Sequence, residues 1–61
     1  MPIAEGDRFK HRLTGQLYEV KVIKNGTVIL ESEDPPYRMW FGDKDVELFF
    51  EIAGKGKRKL N

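Results

Sequence analysis

The chain has 61 residues, no cysteine, one histidine and a net charge of +1, from 11 lysines and arginines against 10 aspartates and glutamates. That length allows one domain, burying roughly 60% of the surface its unfolded form exposes, and the counts exclude disulfides and a cysteine- or histidine-based zinc site. No apolar run approaches the roughly 18 residues of a membrane span, and no basic-then-apolar leader opens the chain, so the sequence reads as cytoplasmic with no membrane partner.

Met1 to Glu5 carries little pattern and is expected to be a loose lead-in. From Gly6 to Arg12 the sequence alternates, with Phe9 and His11 on one face and Arg8, Lys10 and Arg12 on the other, as a half-buried first strand does. Leu13 to Gln16 then reads as a turn.

Two β-rich runs follow, about Leu17 to Lys24 and Thr27 to Ser32, joined by Asn25-Gly26. Asn-Gly supplies the two left-handed residues of a type I′ turn, so the segment predicts a β-hairpin. A regular ladder from that turn sets Lys24 opposite Thr27, Ile23 opposite Val28, Val22 opposite Ile29, Lys21 opposite Leu30 and Val20 opposite Glu31. One face then carries Tyr18, Val20, Val22 and Ile29, and the other Ile23, Val28 and Leu30. Apolar residues on both faces suggest a bent strand shared between two packed sheets.

Residues 31–36 are polar and end in Pro35-Pro36, which cannot donate to a ladder, so they form a loop. Tyr37 to Phe41 is the fourth strand, with Tyr37, Met39 and Phe41 on one side and Arg38 and Trp40 on the other. Gly42 to Asp45 turns the chain, Asp45 caps one helical turn at Val46 to Leu48, and Phe49 to Ile52 makes a fifth strand. Residues 54–61 lack apolar periodicity and read as a flexible basic tail behind a domain of residues 1–53.

Five short strands with a helical turn before the last predict an all-β, five-stranded SH3-like small barrel. The motifs Gly6-x-x-Phe9-x-His11, Gly15-x-x-Tyr18-Glu19-Val20 and Trp40 followed by Glu47-Leu48-Phe49-x-Glu51 resemble those of a family of short bacterial SH3-like domains. The likeness covers about residues 6–51. It departs where that family places Arg-Pro after the tryptophan and this chain has Phe41-Gly42, and the family's middle strands are usually longer. What the resemblance implies is a fold, because that family has no established activity.

Chemistry is sparse. Ser32 and His11 lie two strands apart, and nothing completes a nucleophile–base–orienter set, so no catalytic residue and no enzyme activity are expected. His11 reads as a satisfied, partly buried strand residue. The clusters Glu31/Glu33/Asp34 and Asp43/Asp45/Glu47 lack the spacing of a calcium loop and read as solvated acids, so no metal and no cofactor are expected.

Two binding readings remain. Residues 1–54 hold seven cations and ten carboxylates, whereas residues 55–61 hold Lys55, Lys57, Arg58 and Lys59 with no acid. Those four cations, with Arg8, Lys10 and Arg12 on strand one, Arg38, and Trp40 and Tyr37 for stacking, point to a non-catalytic module that binds nucleic acid weakly. The alternative is a protein-interaction or homodimerising module using Ile23, Val28 and Leu30 as an apolar strip on the hairpin, leaving the chain a monomer or a homodimer.

Overall fold

Asn25 and Gly26 adopt φ angles of 52° and 78°, the pair of left-handed residues that a type I′ turn requires. They fold strand β2 (Leu17–Lys24) back on β3 (Thr27–Ser32). The computed structural model describes residues 3–33 and 35–55. Around the hairpin stand β1 (Arg8–His11), β4 (Arg38–Gly42), helix α1 (Asp43–Phe49) and β5 (Phe50–Gly54).

The strands form one antiparallel sheet in the order β4-β3-β2-β1-β5. This overturns the expected barrel: β4 and β5 are the two edges and do not pair with each other, so the sheet is open. The resemblance to SH3-like barrel domains fails with it. The all-β assignment fails too, because the chain between those edges is a seven-residue helix and not a single turn. Its N-cap is Gly42, with no side-chain cap, so Asp45 does not cap it; Asp43 and Asp45 lie in its first turn, where carboxylates oppose the positive end of the helix dipole. Packed against β3, β4 and β5, α1 inserts the fully buried Val46 over the sheet. The helix therefore covers the apolar face that a β4–β5 pairing would have enclosed.

The ladder between β2 and β3 is not regular. Val22 faces Ile29, but Val20 faces Leu30 and Glu19 faces Glu31, so Lys21 is the extra residue of a β-bulge. The uniform register expected from the turn holds only from Val22 onward. Because side chains alternate with period two, the slip moves Tyr18 and Val20 to the face of Val28 and Leu30, and leaves Val22 and Ile29 on the other face. Two half-apolar faces thus become one buried face and one exposed face.

The buried face gathers Phe9, Tyr18, Val20, Val28, Leu30, Val46 and Phe50, with Ile3, Ile23, Met39 and Phe41 packed against them. Phe50 is the hub: its ring meets His11, Tyr18 and Phe41 edge-on, at centroid distances of 4.9, 5.4 and 5.3 Å. These contacts bind the start of β5 to β1, β2 and β4 at once.

The lead-in is more tied than its sequence suggests. Ile3 packs on the core, and the Ala4 N–H donates to Oδ2 of the wholly buried Asp7 at 3.0 Å. Gly6 N–H donates to the Val20 carbonyl, and Val20 N–H to the Asp7 carbonyl, which ties the entry to β1 onto β2. The proposed tail of residues 54–61 begins inside β5 and, from residue 56 on, lies outside the described residues.

Candidate functional site

On the exposed face of the sheet, the register lines up Val22, Ile29 and Trp40 across β2, β3 and β4. Trp40 is 61% exposed and Val22 39%. On one side of this row lie Glu19, Glu31 and Arg38, and on the other Lys24, Thr27 and Gly42. Farther across, Arg8 stands opposite Glu19, and Lys10 stands opposite Leu17 on one side and Glu51 on the other. The extra residue of the bulge also reaches this face, since Lys21 Nζ lies 3.7 Å from Glu19 Oε1.

The face gathers five cations, Arg8, Lys10, Lys21, Lys24 and Arg38, with the carboxylates Glu19, Glu31 and Glu51, while Glu33 lies beside Glu19 and Glu31, and Glu5 beside Arg8 and Lys21. The acids of α1, Asp43, Asp45 and Glu47, belong to the other layer. The outward surface is thus of mixed charge about an apolar centre, with Lys24 and Arg38 the cations on the rungs either side of the Val22–Ile29–Trp40 row. Arg38 Nε lies 3.8 Å from Glu31 Oε2, and Lys10 Nζ lies 3.8 Å from Glu51 Oε2. Pairs this exposed contribute about 0–1 kcal/mol each, so a phosphate competes for such cations at little cost.

Several sequence-predicted residues lie elsewhere. Tyr37 does not join Trp40: it opposes it in strand parity and hydrogen-bonds with the buried Tyr18. Arg12 lies just past the end of β1, donating from Nη2 to the Glu47 carbonyl at 3.2 Å, with Nη1 3.5 Å from Glu51 Oε1. Lys55 Nζ is 3.5 Å from Oδ2 of buried Asp7, which commits it to the end of β5. Lys57, Arg58 and Lys59 lie outside the described residues. Val28 and Leu30 are fully buried and Ile23 packs against them, so that strip lines the interior and gives a partner no surface.

Ser32 and His11 are occupied locally. Ser32 Oγ donates to the Pro35 carbonyl at 2.6 Å and accepts from the Tyr37 N–H at 3.3 Å, stapling the loop before β4. His11 Nδ1 accepts from the Leu13 N–H at 3.2 Å, and the ring rests edge-on against Phe50. Among the described residues no group of three or more His, Cys, Asp or Glu is placed to hold a metal ion, and no helix is long and apolar enough to cross a membrane.

One cleft of about 280 Å³ opens between β1 and β5, floored by Ile3, Phe9, Phe50 and Ile52. At its rim Arg12 and Glu51 engage each other and Lys55 engages Asp7, so no polar groups converge there as a substrate site requires.

Sequence reasoning did not assign Val22, Ile29, Lys21 or Lys24 to the exposed face. A signal was present: the apolar residues at 20, 22 and 23 break the alternation, and a break in period two inside a strand marks a bulge. Compared with protein-family models, with curated proteins and with solved structures, the chain finds no match.

Proposed function

We propose that this chain is a non-catalytic binding module that takes single-stranded nucleic acid, weakly, on the exposed face of its sheet. The observation that carries this reading is Trp40, 61% exposed on a face that also bears Arg8, Lys10, Lys21, Lys24 and Arg38. Leu13 and Leu48 are more exposed still, so exposure alone does not single out Trp40; what does is an aromatic face beside Arg38 on the sheet face that carries the cations. An indole stacks on any base, contributing about 1–3 kcal/mol per base, while neighbouring cations track the phosphates. Duplex keeps its bases stacked on one another and offers the indole no free base face, which favours a single strand. The ion pairs Arg38–Glu31, Lys21–Glu19 and Lys10–Glu51 keep the attraction modest. The basic residues Lys57, Arg58 and Lys59 add phosphate contacts by composition alone.

Trp40 is the chain's only tryptophan, so its own fluorescence reports on the proposed site. Titration with a pyrimidine oligonucleotide at low salt is expected to quench and shift that emission, with weaker effect from a duplex of equal length. The five cations of the face alone imply a slope of about −3.5 in log K against log salt on a single strand, steeper with each contact from Lys57, Arg58 or Lys59. Unchanged Trp40 emission at saturating oligonucleotide and low salt would sink the reading.

A further inference from the structure

We infer that the open edge of β4 pairs antiparallel with β4 of a second copy of this chain, about a two-fold axis at Trp40. Two hydrogen bonds fix which peptide groups the strand already uses. The Ser32 N–H donates to the Tyr37 carbonyl at 3.1 Å, and the Asp43 N–H donates to the Gly26 carbonyl at 3.0 Å. Both pairs lie on the β3–β4 register, which also sets Leu30 opposite Met39 and Val28 opposite Phe41. Bonded and non-bonded pairs alternate in an antiparallel ladder. Tyr37, Met39, Phe41 and Asp43 therefore turn their peptide groups toward β3 and its turn, while Arg38 and Trp40 turn theirs, and Gly42 its N–H, outward. No other strand among the described residues meets that edge.

Those three outward residues are symmetric about Trp40, which makes the strand its own complement. In the paired arrangement Arg38 stands opposite Gly42 of the second copy, Trp40 opposite Trp40, and Gly42 opposite Arg38; the Trp40 pair exchanges both N–H···O=C bonds, and each Gly42 N–H donates to the Arg38 carbonyl of the other copy, the Gly42 carbonyl being taken by the first bond of α1. The one charge on the strand meets a glycine, so no like charges face each other. On the other face, Met39 meets Phe41 of the second copy, both partly buried already, and the apolar layer continues across the seam. The two tryptophans come together on the exposed face.

Proteins usually blunt an exposed edge with charge, proline or a bulge. The opposite edge shows such devices: β5 carries Glu51, engaged by Lys10 and Arg12, and the register shifts between Arg8 and Phe9 against it. The stretch Met39-Trp40-Phe41 has none. Pro35-Pro36 before β4 and α1 after it confine pairing to that one strand. The result is a closed, isologous dimer of small area, hence a weak one. This inference does not rest on nucleic-acid binding.

The test is sedimentation equilibrium from micromolar to millimolar concentration, with amide exchange followed over the same range. The expected result is an average mass rising toward twice that of the monomer. Exchange at Trp40 and Gly42 slows as concentration rises, while Met39 and Phe41 exchange slowly throughout. Gly42→Pro is the blocking variant. Gly42 has φ −67° and ψ 153°, which suits proline, its N–H is not used by β3, and an added Cβ meets only Asp45 Oδ2 at an ordinary 3.7 Å. This variant is expected to keep the circular dichroism of the wild type and to associate at least about tenfold more weakly. A wild type that stays monomeric throughout, a folded Gly42→Pro that associates as the wild type does, or concentration-dependent protection on β5 in place of β4 would each overturn the inference. The exchange measurement needs no variant, so a misfolded Gly42→Pro leaves it decisive.

Discussion

Val20 stands opposite Leu30, both fully buried, while Val22, two residues along the same strand, stands opposite Ile29 on the other side of the sheet. Lys21 is the residue that makes this possible. Its deletion closes the ladder without changing which face any neighbour occupies, so the variant is expected to fold, losing no more than about 2 kcal/mol from the strand's altered bend and the lost exposed pair with Glu19. Deleting Val20 instead sets Lys21 opposite Leu30 inside the core and is expected to cost more than about 3 kcal/mol. Urea unfolding of the two deletions decides it: equal losses would mean the bulge is misplaced.

The turn is the second place where one backbone feature controls the sheet. Gly26→Val forces a β-branched residue to φ near 78°, at an expected cost of about 1–2 kcal/mol. Asn25→Gly is expected to change stability by less than about 1 kcal/mol, because glycine also accepts that conformation. Thermal melts that rank these two in the opposite order would rule out the type I′ assignment.

Asp7 holds the lead-in and the end of β5 together through the Ala4 N–H and Lys55. Asp7→Ala is expected to lose about 1–3 kcal/mol by leaving the part-buried Ala4 N–H without its acceptor. Lys55→Ala, whose ammonium is half-exposed, is expected to lose less than about 1 kcal/mol. Chemical denaturation of the pair measures the difference.

Burial, aided by the hydrogen bond with Tyr37 and by that residue's charge, pushes the Tyr18 phenol above its ordinary value of 10. In the unfolded chain the phenol ionises first as pH rises, so this contribution to stability is complete below pH 10 and is lost progressively above it. Tyr18→Phe is expected to flatten the alkaline side of the stability profile. Identical slopes for wild type and variant between neutral and strongly alkaline pH would show that Tyr18 plays no part in that loss.

Trp40→Ala separates function from folding, because the side chain lies mostly in water. Stability is expected to change by less than about 1 kcal/mol, whereas affinity for a single strand falls roughly five- to 150-fold, the loss of one stacked base. Fluorescence anisotropy of a labelled oligonucleotide reads the affinity, and circular dichroism confirms the fold. Unaltered affinity would remove Trp40 from the site.

The legible parts of the chain were those set by local chemistry. Asn25-Gly26 marked the turn, and the spans Leu17–Lys24 and Thr27–Ser32 match β2 and β3 residue for residue. Pro35-Pro36 marked the break before β4. The helix was misjudged because Asp43 to Phe49 has a glycine N-cap with no capping side chain and only one buried residue, Val46, to reveal its apolar face. The candidate site was legible at Arg8, Lys10, Arg38 and Trp40. It was not legible at Val22 and Ile29, whose face depends on the bulge.

By itself, then, the sequence determined five extended segments in order, a tight turn at residues 25–26 and a chain with no sulfur or imidazole cluster for chemistry. All of these follow from backbone preferences and residue counts acting within a few positions. The tertiary structure alone decided that the sheet stays open, that Val46 covers its apolar side, that Tyr37 turns to Tyr18 while Trp40 turns to solvent, and that Asp7 receives Lys55. Each of those outcomes depends on burial shared between residues far apart in the chain, and a one-residue slip at Lys21 is enough to exchange the inside of a strand for its outside.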